Sequence, residues 1–65
     1  MTTYYAEFLH DSFETRIRWT GGSIVNIQYP VGGQWVDAEC FTDYDINSLE
    51  DALQSAIEYL NNIEE

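Results

Sequence analysis

The sequence predicts an α+β fold: a four-stranded antiparallel β-meander with one C-terminal α-helix packed across one face, in the order ββββα. Three observations lead there. Residues 3–41 alternate apolar and polar side chains in short runs divided by turn residues, the pattern of half-buried strands. From Asp43 the period changes, and Leu49, Leu53, Ala56, Ile57, Leu60 and Ile63 fall on one helical stripe. The lengths also agree: an eight-residue strand spans about 27 Å and a 16-residue helix about 24 Å, so one helix can cover such a sheet.

The first strand is expected over residues 3–10, where Tyr4, Ala6, Phe8 and His10 alternate with Tyr5, Glu7 and Leu9. Asp11-Ser12 is a two-residue turn, and the second strand covers residues 13–20. A turn there sets Tyr4 opposite Trp19, Ala6 opposite Ile17 and Phe8 opposite Thr15 on one apolar face. The other face then pairs Glu7 with Arg16 and Tyr5 with Arg18, a charge pair and an aromatic–cation pair in one register. A three-residue loop at Gly21-Gly22-Ser23, with a glycine at the left-handed position, opposes Trp19 with Val25, Ile17 with Ile27 and Thr15 with Tyr29. The third strand is therefore residues 24–29. Pro30-Val31-Gly32-Gly33 is a turn of two or four residues. The fourth strand, residues 34–41, then turns Val36, Ala38 and Cys40 to the core and Trp35, Asp37, Glu39 and Phe41 to the open face. Asn47 is the expected helix cap, with Glu50 reaching back as in a capping box and Asp45 as the competing cap. The helix should run from Ser48 to Asn62.

At 65 residues the chain is long enough for one small domain, residues 1–65. It is 45% hydrophobic and 15% aromatic, enough apolar content to fold. Twelve Asp and Glu stand against two Arg, with no Lys, for a net charge of −10. That charge opposes direct attraction to nucleic acid or to an anionic membrane, both of which need basic side chains, and it favours a basic protein partner. Cys40 is the single cysteine, so no intramolecular disulfide forms and a reducing, cytoplasmic setting is expected. The sequence shows neither a signal peptide nor an apolar run of membrane-spanning length.

No arrangement for catalysis emerges. His10, Asp11 and Ser12 name the residues of a hydrolase triad, but three consecutive residues do not converge on one reacting atom. Cys40 lies between acids, which disfavour a thiolate. Asp43-Tyr44-Asp45-Ile46-Asn47 begins like a calcium loop, but Ser48 stands where the sharp turn needs glycine, and Gln54 where a bidentate Glu should be. Helix capping explains the same residues. One His and one Cys do not build a structural zinc site, and the glycine pairs lead into strands, not into a phosphate-binding helix. The reading is a non-enzymatic protein without cofactor or metal.

What remains is distributed negative charge. Candidate partner-binding residues are Trp35, Asp37, Glu39, Asp43, Asp45, Glu50, Asp51 and Glu58. The carboxylates suit a groove built for phosphates, and the aromatic side chain supplies an anchor. A very short, strongly acidic, Lys-free chain that begins Met1-Thr2-Thr3 and carries no enzyme motif resembles the small proteins of bacteriophages. It resembles specifically the anti-CRISPR inhibitors of type I systems, type I-C in particular. The resemblance covers the whole chain in size, charge and mixed helix-and-strand class. It implies a viral inhibitor of host defence, acting in the bacterial cytoplasm as a DNA mimic. The implied partner is the large subunit of a type I CRISPR surveillance complex, which reads the protospacer-adjacent motif, and the protein is expected to be a monomer. The alternative is a small acidic adaptor, or an antitoxin-like protein, binding a basic or apolar partner surface.

Overall fold

The computed structural model of the protein describes residues 2–63. Strands β1 (Tyr4–His10), β2 (Phe13–Trp19), β3 (Ile24–Val31) and β4 (Gln34–Thr42) form one antiparallel sheet in chain order, and helix α1 (Leu49–Ile63) closes one face. The expected ββββα meander is the fold.

The first hairpin has the register read from the sequence: Tyr4 opposes Trp19, Ala6 opposes Ile17 and Glu7 opposes Arg16. Its turn residues, Asp11 and Ser12, both have left-handed backbones, φ 52° and 70°. That geometry matches the right-handed twist of the strands on either side. The second turn also follows the expectation, with Trp19 opposite Val25 and Ile17 opposite Ile27. Gly21 takes φ 95° there, and the Trp19 indole N–H donates to the Gly22 carbonyl at 2.8 Å. Gly32 and Gly33 form the third turn, so Val31 pairs with Gln34.

Two features of the sheet depart from the expectation. Pairing of β2 with β3 ends at Arg16 opposite Gln28 and does not reach Thr15 and Tyr29. In continued register Pro30 would face Glu14, and proline has no N–H to give a ladder. Beyond that point residues 13–15 stay with β1 and residues 29–31 stay with β4. The second departure is a β-bulge. Ile27 opposes Glu39 and Gln28 opposes Asp37, so Ala38 is the extra residue. A bulge reverses the side-chain alternation beyond it. Trp35 and Asp37 lie on the open face, as expected, and Val36 on the helix face, but Val36 is 45% exposed and neither it nor Ala38 joins the core that both were expected to enter. Glu39 and Phe41 instead share the helix face with Ile27 and Val25, and Cys40 is exposed on the open face opposite Asn26.

The core lies between sheet and helix and consists of Ile17, Trp19, Val25, Ile27, Ile46, Ala52, Ala56 and Leu60. Ala52 and Ala56 are fully buried; their small side chains let the helix backbone approach the sheet closely. Leu49, Leu53 and Tyr59 flank this line, while Ile63, the end of the expected stripe, is exposed. Phe41 stacks on Tyr59 with ring centroids 4.9 Å apart, a contact that exists because the bulge turned Phe41 inward. Among the described residues no helix is long and apolar enough to cross a membrane.

Candidate acidic interface

The helix start is built by the link from Asp43 to Ser48. The Asp43 backbone N–H donates to the Ser23 carbonyl at 2.7 Å, which pins the end of β4 to the second turn. Its carboxylate accepts from the Asp45 backbone N–H at 2.9 Å and from the Ser55 hydroxyl at 2.7 Å. Those two hydrogen bonds, the Asp45 N–H first, hold the Asp43 carboxyl below its ordinary pKa, against a smaller opposing effect of desolvation. The residues that looked like half a calcium loop form a side-chain turn tied to the helix.

The cap is Ser48, not Asn47 or Asp45. Ser48 Oγ accepts from the Asp51 N–H at 3.2 Å, and the Ser48 carbonyl accepts the first helical bond from Ala52. Asp51 returns the favour one residue early: its carboxylate accepts from the Asn47 N–H at 3.2 Å. In place of the exchange expected between Asn47 and Glu50, Ser48 caps the Asp51 N–H and the Asp51 carboxylate reaches back past Ser48 to the Asn47 N–H, a shifted form of the capping box. Asn47 donates through Nδ2 to the Asp45 carbonyl. Glu50 is left exposed in the first turn, where its charge favours the helix dipole. Asp51 and Glu58, seven residues apart, lie along the outer stripe of the helix, and both are exposed.

Of the predicted partner-binding residues, Glu39, Asp43, Asp45, Glu50, Asp51 and Glu58 lie on the helix side of the molecule and its adjoining link. Trp35 and Asp37 lie on the opposite face of the sheet and are already engaged. Arg16 rests between two rings, its guanidinium carbon 4.3 Å from the Tyr5 centroid and 4.6 Å from that of Trp35. Arg16 Nε donates to Gln28 Oε1 at 2.8 Å, and Gln28 Nε2 donates to Asp37 Oδ1 at 2.8 Å. Arg18 Nη2 completes the chain on Asp37 Oδ2 at 3.1 Å. The register expected for Arg16 and Arg18 holds, but their partners lie diagonally and across β3, not directly opposite. The open face is accordingly a polar and aromatic network, not the apolar face with Phe41 that the alternation implied.

This arrangement divides the charge. Both cations of the chain sit on the open face with Glu7, Glu14 and Asp37, so that face is nearly balanced. The six carboxylates of the helix side have no Lys or Arg among them. Sequence reasoning missed two residues that organise the site, Ser48 and Ser55, and gave Arg16 on the open face a different partner. Ser48-x-x-Asp51 was a legible capping signal; Ser55 and Arg16 act across distances that spacing does not show. No family model, curated protein or solved structure matches the chain.

Proposed function

We propose that the protein is a binding inhibitor whose helix side takes the place of DNA on a basic, nucleic-acid-binding partner. One observation carries this reading: among the described residues the helix side gathers six carboxylates with no Lys or Arg, while both arginines are held on the other face. The scale suits it as well. The molecule measures 29 × 29 × 16 Å, and over 29 Å duplex DNA carries about 17 phosphate charges, the same order as the net charge of −10. By resemblance the partner is the large subunit of a type I CRISPR surveillance complex, engaged in the bacterial cytoplasm at the site that first contacts target DNA. An adaptor docking through Trp35 and Phe41 has less support, because Trp35 packs on Arg16 and Phe41 on Tyr59.

The test is a target-DNA binding assay with a purified type I surveillance complex, with and without the protein. Inhibition is expected to weaken with added salt, since interactions between exposed charges are screened. Glu50→Lys combined with Glu58→Lys changes the net charge from −10 to −6 without touching a hydrogen bond of the link. That variant should fold normally and lose inhibition. DNA binding that persists while the protein is bound to the complex would sink the mimicry reading.

A further inference from the structure

We propose that the fork between the two hairpins is an anchor site for an arginine side chain of a basic protein partner. From the reading above this takes only that the partner is basic. The fork exists because Pro30 ends the pairing of β2 with β3, leaving residues 13–15 and 29–31 on separate hairpins. Between them lies a cleft of about 340 Å³ lined by His10, Phe13, Glu14, Tyr29 and Pro30. That volume is at the small end of ligand sites and suits one long side chain.

The lining selects the occupant. Phe13, Tyr29 and Pro30 supply apolar and aromatic walls, and Phe13 remains 71% exposed, so the rest of the chain does not cover it. Glu14 supplies a carboxylate, and Asp11 lies in the adjacent turn. Aromatic walls beside a carboxylate favour a cation on an apolar stem. A flat guanidinium stacks on rings and hydrogen-bonds carboxylates in a way that an ammonium does not. The protein already uses this chemistry once, holding Arg16 between Tyr5 and Trp35. Among the described residues neither arginine fills the fork from within, and the one imidazole in its lining, His10, already hydrogen-bonds Asn61 and lies 3.9 Å from the Asp11 carboxylate. Lys is absent, Arg16 bonds Gln28, and Arg18 pairs with Asp37. A guanidinium in the fork comes from another molecule.

An NMR titration with an acetylated, amidated Gly-Arg-Gly peptide tests this, with the citrulline and lysine peptides as comparators. Saturable shifts are expected at Phe13, Glu14 and Tyr29, with the arginine peptide binding best. Loss of the charged contact should weaken binding roughly fivefold, as for an exposed ion pair, both for the citrulline peptide and for Glu14→Gln. Phe13→Ala, at an exposed site, should weaken it similarly. Shifts confined to Asp45, Glu50 and Glu58, or a Glu14→Gln variant with unchanged affinity, would overturn the proposal. Equal binding of the lysine peptide would overturn the choice of arginine. The outcome is separable from that of the mimicry test. Peptide binding at the fork can stand if Glu50→Lys with Glu58→Lys still blocks DNA, and can fail if it does not.

Discussion

At the scale of single residues, the first turn stores strain. Asp11 and Ser12 both adopt left-handed backbones, a conformation that Asp tolerates through its short polar side chain and Ser accepts less readily. Ser12→Gly should therefore raise stability by about 0.5–1 kcal/mol, the Asp-Gly pair being the preferred one for this turn. Thermal unfolding would show it as a midpoint a few degrees higher. Asp43 makes a prediction about pH. Its folded pKa lies below the ordinary value of 3.8, so its contribution is present above that value and is lost as the pH falls through it toward the folded pKa. Urea unfolding of the protein and of Asp43→Asn should show a gap in stability at pH 7 that narrows by pH 3. A gap that stays constant would mean that the Asp45 and Ser55 hydrogen bonds do not discriminate between the charged and the neutral acid.

At the scale of elements, the helix depends on the cap that Ser48 provides. Ser48→Ala should cost about 1 kcal/mol, which for a domain of this size lowers the unfolding midpoint by about 4–8 °C. Asn47→Ala, which removes only a bond to the Asp45 carbonyl, should cost less; the reverse ranking by calorimetry would return the cap to Asn47. The elements also show what sequence reasoning reaches. The first hairpin was legible because the alternation, the turn and the Glu7–Arg16 pairing all demand one register. The acidic stripe of α1 was legible because helical spacing alone sets Asp51 and Glu58 on the side opposite Ala56 and Leu60. The second half of β4 was not, since strict alternation assumes an unbroken ladder and Ala38 breaks it. The clue was size: a sheet face that closes a core favours Phe41 over Cys40. The roles of Trp35 and Asp37 were beyond reach for a different reason. Their partners Arg16 and Arg18 are chosen across β3, by geometry that appears only when the sheet is assembled.

At the scale of the whole molecule, one charge distribution acts on two equilibria in opposite senses. A net charge of −10 on 65 residues repels itself, so added salt should stabilise the fold. The unfolding midpoint is expected to rise between 10 mM and 300 mM NaCl, as the Debye length shrinks from about 30 Å toward about 6 Å. Partner binding should weaken over the same range. Opposite trends in one buffer series would separate self-repulsion from recognition; parallel trends would place the recognition surface elsewhere. The confinement of both arginines to the open face has a further consequence for the approach to a partner. Negative charge on one broad side and near balance on the other give the slab a permanent electric dipole across its thin dimension. In the field of a positively charged groove such a body experiences a torque as well as a pull. It turns its helix outward toward the groove before any contact is made, so a larger share of collisions begins in the productive orientation.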